Sequence, residues 1–169
     1  MARPPYCMQE EGDFCGAAVC QMVLSYVGKK YPQMELAKRI GILDKRASEG
    51  TGYASKQNIR RLFEEEGVAF EEFAGRGTVV KHGDVQILKD PLEKLVSELG
   101  QGNIAIANTS SRGGHYVLVY GVDGEEVFYH DPGIRSDRKT EVSKFQERWI
   151  SGNKDWINWF MVIRNQKAN

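Results

Sequence analysis

Apolar residues in the first third of the chain recur at the spacing of amphipathic helices. The first stripe runs from Ala17 to Val27, with Asp13 as its predicted N-cap and Gly28 at its predicted end. A shorter helix is predicted to follow Pro32, and a third is predicted to follow Ser55 as its cap. The N-terminal part of the chain is therefore predicted to be helical.

The rest of the chain shows mostly the patterns of strands, with two further helices. Asp90, Pro91 and Glu93 form a helix-start signal, and Val142–Ile150 is also predicted to be helical. The predicted strands are Val68–Phe73, Val85–Leu88, Ile104–Ala107, His115–Val122, Val127–His130 and Trp156–Ile163. Helices first and strands afterwards indicate the α+β class, with an N-terminal helical half packed on a C-terminal antiparallel sheet.

The composition is that of an ordinary globular protein and excludes several classes. With 169 residues, 41% hydrophobic and 27% charged, we expect one domain spanning residues 1–169. Lys+Arg and Asp+Glu both number 23, so nothing in the net charge favours a nucleic-acid partner. No apolar run reaches the ~18 residues of a membrane span. No signal-peptide apolar block opens the sequence.

The three cysteines, Cys7, Cys15 and Cys20, are too few and too odd in number for a disulfide scaffold, and they indicate reduced thiols. Reduced thiols favour a cytoplasmic location. The alternative is a protein that is secreted, or delivered as an effector, without a cleavable signal. Cysteines and histidines show no short ligand pair of the usual zinc spacing, so we expect no metal and no cofactor.

Cys15 is predicted near the start of the first helix, two residues after the Asp13 cap. Free backbone N–H groups and the positive end of the helix dipole stabilise a thiolate there, and the Cys15 N–H can donate to a developing oxyanion. Gly16 leaves room for a substrate backbone beside the sulfur. Gln9, six residues before Cys15, is the candidate second oxyanion donor, with an ordinary surface glutamine as the alternative.

His115 opens an alternating strand after Gly113 and Gly114, where we expect a peptide substrate to pass. It is the candidate general base for a cysteine, with a structural or exposed histidine as the alternative. Asp131 ends the next strand, where its carboxylate is expected to accept the His115 Nδ1–H. A two-residue loop at Asp123-Gly124 puts these side chains on opposite faces. We therefore predict a three-residue loop, or an equivalent one-residue bulge.

Taken together, these residues resemble the papain-like cysteine peptidases, above all the bacteriocin-processing branch. That branch consists of double-glycine-leader peptidase domains that are often fused to ABC exporters. It has a Gln six residues before a Cys-Gly at a helix start, as do Gln9 and Cys15-Gly16. It has a His that opens an apolar strand, as in His115–Gly121, and then an Asp-Pro, as in Asp131-Pro132.

The resemblance implies a thiol peptidase of papain-like fold that acts on a peptide or protein substrate, with a specific protein partner as a further option. It makes Cys15 the nucleophile, His115 the base and then the acid, Asp131 the orienting group and Gln9 the oxyanion donor. Gly16, Gly113 and Gly114 are the expected substrate-binding positions.

The chain departs from the branch at two places. Phe14 stands where the branch usually has Asp immediately before the Cys, and the stretch Gly75–Lys89 reads as an insertion. Two other functions stay open at this point. One is acyl transfer to another nucleophile through the same site, and the other is a non-enzymatic binding module on a peptidase scaffold.

Overall fold

A computed structural model describes residues 3–43, 55–79, 84–109, 114–150 and 157–165. The helices are α1 (Cys15–Tyr26), α2 (Gln33–Arg39), α3 (Lys56–Glu65), α4 (Pro91–Gly100) and α5 (Val142–Ile150). The strands are β1 (Phe70–Gly75), β2 (Val85–Leu88), β3 (Ile104–Thr109), β4 (His115–Asp123), β5 (Glu126–Asp131), β6 (Arg135–Glu141) and β7 (Phe160–Ile163).

The strands form one sheet in the order β2-β1-β7-β3-β4-β5-β6. β1 and β2 run parallel, and each of the other neighbouring pairs is antiparallel. The predicted α+β class is confirmed. The last strand along the chain, β7, lies between β1 and β3, so the middle of the sheet joins distant parts of the sequence.

Helices cover both faces of this sheet. The core on one face includes Val19 of α1, Leu36 of α2 and Leu118 of β4, and the core on the other includes Leu95 of α4 and Trp149 of α5. The central strands β3 and β7 are buried along their whole length, which explains the continuous apolar runs Ile104–Ala107 and Phe160–Ile163. The predicted helical half therefore packs on one face only, and α4 and α5 close the other.

Two of the predicted helix caps are present, and one is wrong. The Ser55 hydroxyl accepts the Asn58 N–H at 3.1 Å, and Asp90 Oδ1 accepts the Glu93 N–H at 3.0 Å. Asp13, in contrast, is exposed, and α1 has Phe14 at its N-cap position with no side-chain cap. The chain turns just before this helix, so α1 begins at Cys15 itself.

The β4–β5 hairpin has a two-residue loop, so the predicted three-residue loop is wrong. Asp123 pairs with Glu126 across that loop. Further along, Val119 pairs with Tyr129 whereas Gly121 pairs with Phe128, which leaves Tyr120 as an extra residue. The alternative prediction, a one-residue bulge, is thereby confirmed.

This bulge determines whether the Asp131 side chain lies on the same face of the sheet as His115. Beyond the bulge Leu118 pairs with His130, so the same register puts Asp131 opposite Val117. His115 is two residues from Val117 and therefore lies on the same face as Asp131. Without the extra residue, the two side chains would project from opposite faces.

Candidate active site

His115 and Asp131 meet at the end of the sheet. His115 Nε2 lies 2.7 Å from Asp131 Oδ1, and the two residues are 6% and 7% exposed. The predicted contact is therefore present, but the predicted ring atom, Nδ1, is wrong. Because Nε2 points at the carboxylate, the ring leaves Nδ1 for the group on its other side.

That other group is the Cys15 thiol, which is 6% exposed at the first position of α1. Burial by itself lowers the pKa of His115, but hydrogen bonds with Asp131 and with Cys15 outweigh it and raise the pKa to about 9. His115 is therefore an imidazolium at neutral pH, and its positive charge lies beside the Cys15 sulfur.

The Asp131 carboxylate is held in its ionised form. Its Oδ1 also accepts the N–H of Gly133 at 3.0 Å, within the Asp-Pro-Gly turn that follows β5. Burial by itself raises the pKa of Asp131, but the hydrogen bonds from His115 and Gly133 reverse this effect and hold the pKa below its ordinary value. Asp131 can therefore orient the ring and stabilise its positive charge.

The start of α1 supplies backbone donors at the sulfur. No side chain caps this helix, and its first turn carries no acidic residue. The positive end of the helix dipole is therefore directed at Cys15 without a competing carboxylate. The Asp13 cap predicted from the sequence would have occupied one of these N–H groups.

Gln9 lies between the start of α1 and the turn after Asp131. Its backbone N–H donates to the Pro132 carbonyl at 2.9 Å. Its Nε2 donates to the carbonyls of Glu11 and Gly12 at 2.9 and 2.8 Å, and within the described part of the chain its buried Oε1 has no hydrogen-bond partner. Both amide hydrogens of Gln9 are therefore directed at the turn that leads into Cys15.

The predicted substrate-binding glycines occupy different environments. Gly114, immediately before His115, has φ +122°, and a Cβ there would meet no atom of the described residues within 4 Å. Its backbone conformation therefore requires glycine, and none of the described residues fills the space beside it. Gly16 is buried in the first turn of α1, and Gly113 lies outside the described residues.

Sequence reasoning missed two polar residues around the site. The Tyr6 hydroxyl donates to the Asp131 carbonyl at 3.3 Å, and the side chain of Gln33 binds the backbone on both sides of Gln9. Neither residue stands in a local pattern that signals a function. Each becomes visible only once the N-terminal segment packs across the molecule.

The remaining thiols and the second buried histidine stand apart from this site. Burial raises the pKa of Cys20, and burial together with the charge of Glu10 raises the pKa of Cys7. The ring nitrogens of His130 bind two backbone groups, the Pro4 carbonyl and the Asp137 N–H. Within the described ranges, no three His, Cys, Asp or Glu residues are grouped to hold a metal ion.

Over those same ranges, no helix has both the length and the apolar character needed to cross a bilayer.

Comparison with known proteins identifies the family. The family model described as "Peptidase_C39 like family" matches residues 3–155. A search of curated proteins found no match. Among solved structures, a double glycine motif protease from an AMS/PCAT transporter, in complex with its leader peptide, is 20% identical. It has a TM-score of 0.67, over 97% of this chain and 94% of that one.

Two further structures share the fold. A C39-like peptidase from Bacillus anthracis is 17% identical, with a TM-score of 0.68 over 97% of this chain and 96% of its own. The peptidase domain of Streptococcus ComA, a bi-functional ABC transporter of a quorum sensing pathway, is 16% identical. Its TM-score is 0.63, over 97% of this chain and 100% of its own. The resemblance read from the sequence is confirmed: the chain belongs to the Peptidase C39 like family and is a cysteine-type peptidase.

Proposed function

We propose that this peptidase is an endopeptidase that hydrolyses its substrates through Cys15, His115 and Asp131. The observation that carries the proposal is the 2.7 Å contact of His115 Nε2 with Asp131 Oδ1, made while the same ring interacts with the Cys15 thiol. Acyl transfer by a thiol requires a nucleophile in contact with a base, and a carboxylate that orients this base.

In the acylation step, the Cys15 sulfur attacks the carbonyl carbon of the scissile peptide bond. The imidazolium of His115 then donates its proton to the leaving amine as the tetrahedral intermediate collapses, and a thioester remains. Asp131 stabilises the positive charge of the ring until that proton is transferred. The raised pKa of His115 keeps this proton available across the neutral range.

In the deacylation step, neutral His115 takes a proton from water as the water oxygen attacks the thioester carbon. The C–S bond then breaks, the acid product leaves, and the sulfur and the ring return to their starting charges. Transfer to an amine instead of water would use the same groups, and product masses distinguish the two outcomes.

The oxyanion of each tetrahedral intermediate would be bound by the Cys15 N–H and the Gln9 side-chain amide. Support for Gln9 comes from its place beside the turn that leads into α1. Its Nε2 hydrogens bind the Glu11 and Gly12 carbonyls, so the oxyanion has to replace one of these two acceptors. A charged oxygen is a stronger acceptor than a peptide carbonyl, which favours the exchange.

A peptide or protein segment is the proposed substrate, with its backbone passing Gly16, Gly113 and Gly114. The open space at Gly114 supports this path. The PCAT relative was solved in complex with a leader peptide, and we expect a peptide segment of this chain's substrate to bring its scissile bond to Cys15 in the same way. We take residues 1–169 as one peptidase domain.

The test compares the wild type with Cys15→Ala and Cys20→Ala on proteomes under reducing conditions, followed by mapping of new peptide termini. Cys20 is the matched control because it is a thiol of the same helix that lies wholly in the core. We expect new termini with the wild type and Cys20→Ala, and none with Cys15→Ala. Cleavage by Cys15→Ala at the wild-type rate would refute the proposal.

A further inference from the structure

Gln33, the first residue of α2, is fully buried and forms three side-chain hydrogen bonds. Its Oε1 accepts the N–H of Glu10 at 2.7 Å, and its Nε2 donates to the Met8 carbonyl at 3.0 Å. The other Nε2 hydrogen goes to Gln21 Oε1 at 3.0 Å. Met8 and Glu10 flank Gln9, so a single side chain binds the backbone on both sides of the proposed oxyanion donor.

The orientation of the Gln33 amide follows from its partners. A backbone N–H can only donate and a carbonyl can only accept, so Oε1 must face Glu10 and Nε2 must face Met8. A buried amide with these bonds satisfied is rigid, and removing it leaves the backbone groups of residues 8 and 10 without their partner.

The Gln33 bonds also connect the Gln9 segment to the helix that carries Cys15. Gln21 lies on α1, and its own Nε2 donates to the Tyr31 carbonyl at 2.9 Å. On the opposite side, the Gln9 N–H binds the Pro132 carbonyl next to Asp131. The Gln9 segment is therefore held between α1 and the turn after β5.

Side-chain packing contributes little to holding this segment. The Met8 side chain is 62% exposed, and Glu10 is exposed as well. The apolar surface that these two side chains bury is small, so the backbone position at residues 8–10 depends mainly on hydrogen bonds, namely those of Gln33 and the Gln9 N–H bond with Pro132.

We propose that Gln33 is a positioning residue that sets the distance between the Gln9 amide and Cys15. This inference rests on the oxyanion role of Gln9 given under the proposed function. Loss of Gln33 moves the donor and weakens stabilisation of the oxyanion, while the Cys15–His115 pair is left intact.

Two reactions of the Cys15 sulfur separate these effects without a known substrate. With p-nitrophenyl acetate, the sulfur attacks the carbonyl carbon, an oxyanion forms, and p-nitrophenolate leaves as the acetyl thioester is made. With iodoacetamide, the sulfur displaces iodide in one step, and no oxyanion forms. The ratio of the two rate constants therefore reports on the oxyanion donors alone.

We expect Gln9→Ala to slow acylation by about 10²-fold, as for other side-chain oxyanion donors. Gln33→Met, which keeps the volume and removes the hydrogen bonds, should slow acylation by about tenfold, since a displaced donor keeps part of its effect. Both variants should react with iodoacetamide at the wild-type rate. In Gln9→Ala, adding Gln33→Met should produce no further loss of acylation.

Asn58→Ala is the matched control, because Asn58 Nδ2 donates to the Ile40 carbonyl at the other end of α2, 3.0 Å away. It removes an amide-to-carbonyl bond of the same kind and should leave both rates unchanged. Gln33→Glu is the conservative variant. It keeps the acceptor for the Glu10 N–H but puts an oxygen against the Met8 carbonyl and Gln21 Oε1, so it should slow acylation at least as much as Gln33→Met. Gln33→Leu replaces Gln33→Met if that variant does not fold.

Equal slowing of both reactions by Gln33→Met would show a merely structural role and overturn the inference. Acylation of Gln33→Met at the wild-type rate, with Gln9→Ala slow, would also overturn the inference. The same holds if adding Gln33→Met to Gln9→Ala slows acylation further. Wild-type acylation in Gln9→Ala itself would refute the oxyanion role of Gln9, and the inference with it, while leaving the Cys15–His115–Asp131 proposal standing.

Discussion

Two histidines on neighbouring strands of the sheet have opposite electrostatic environments. His115 of β4 and His130 of β5 are both buried, at 6% and 1% exposure. His115 faces the Asp131 carboxylate and the Cys15 thiol, and its pKa is raised to about 9. His130 donates from Nε2 to the Pro4 carbonyl at 2.9 Å and accepts the Asp137 N–H at Nδ1, and burial lowers its pKa.

The difference lies in the partners rather than in the depth of burial. Backbone groups fix the neutral tautomer of His130, because Nδ1 must stay unprotonated to accept an N–H. A carboxylate favours the imidazolium of His115 instead, and the thiol next to it supplies a group that can exchange the proton. A buried histidine becomes reactive when one of its nitrogens faces an ionised group and the other a nucleophile.

Substituting alanine for each histidine should give the largest effects that test this comparison. His115→Ala should reduce peptide hydrolysis by about 10³-fold or more, since it removes the acid and base of both steps. His130→Ala should keep most of kcat and lose about 2–3 kcal/mol of unfolding free energy, because it removes a buried ring and leaves the Pro4 carbonyl and the Asp137 N–H without their partner. Hydrolysis assays and urea denaturation measure both effects, and an exchange of the two results would contradict the comparison.

Asp131→Asn tests the contribution of the carboxylate next. We expect kcat/KM to fall by about 10²-fold, because asparagine keeps an acceptor but cannot stabilise the imidazolium. Asp137→Asn is the matched control, because that carboxylate lies beside His130 and should leave hydrolysis unchanged. Equal losses in the two variants would mean that the position of the charge is unimportant.

The pH dependence sharpens the same point with a smaller effect. His115 has a folded-state pKa above its ordinary value, so the ring keeps its proton through the neutral range and loses it as the pH rises through about 9. We expect kcat/KM to decline above this pH, and Asp131→Asn to move the decline to lower pH. A decline at the ordinary histidine pKa in the wild type would show that Asp131 does not hold the proton there.

Arg3→Ala should have the smallest effect. Arg3 pairs with Asp137 near His130, but its side chain is 71% exposed, and pairs in water contribute little to stability. We expect hydrolysis and the Tm to match those of the wild type. A fall in Tm as large as that of His130→Ala would indicate that the ion pair, rather than the His130 hydrogen bonds, holds the N-terminal segment.

Elements with a local signal were predictable from the sequence. The caps at Ser55 and Asp90 act within one helical turn, and both form as expected. The prediction that a three-residue loop or a one-residue bulge puts His115 and Asp131 on one face also required only the two-residue period of strands. The bulge at Tyr120 confirms it.

Elements that depend on distant contacts were not predictable. β7 lies between β1 and β3, a position that no local pattern specifies. β6 consists wholly of polar and charged residues (RSDRKTE) at the edge of the sheet, so it has no apolar alternation.

The Asp13 cap fails for a related reason, since the Gln9 side chain binds the carbonyls of the turn before α1 and Cys15 takes the first helical position. In the same way, the role inferred for Gln33 depends on backbone partners more than twenty residues earlier in the chain.

Because of the extra residue at Tyr120, the face on which Asp131 lies depends on whether the number of residues between His115 and Asp131 is odd or even. Surface loops ordinarily tolerate insertions and deletions. Here a single deletion at the tip, with Tyr120 kept, would shift β5 by one position and turn the orienting carboxylate away from the imidazole. Insertions and deletions of two residues in this hairpin therefore preserve the site, whereas a change of one residue preserves it only if the bulge is lost or gained at the same time. A change of one residue can thus inactivate the enzyme without altering a catalytic side chain.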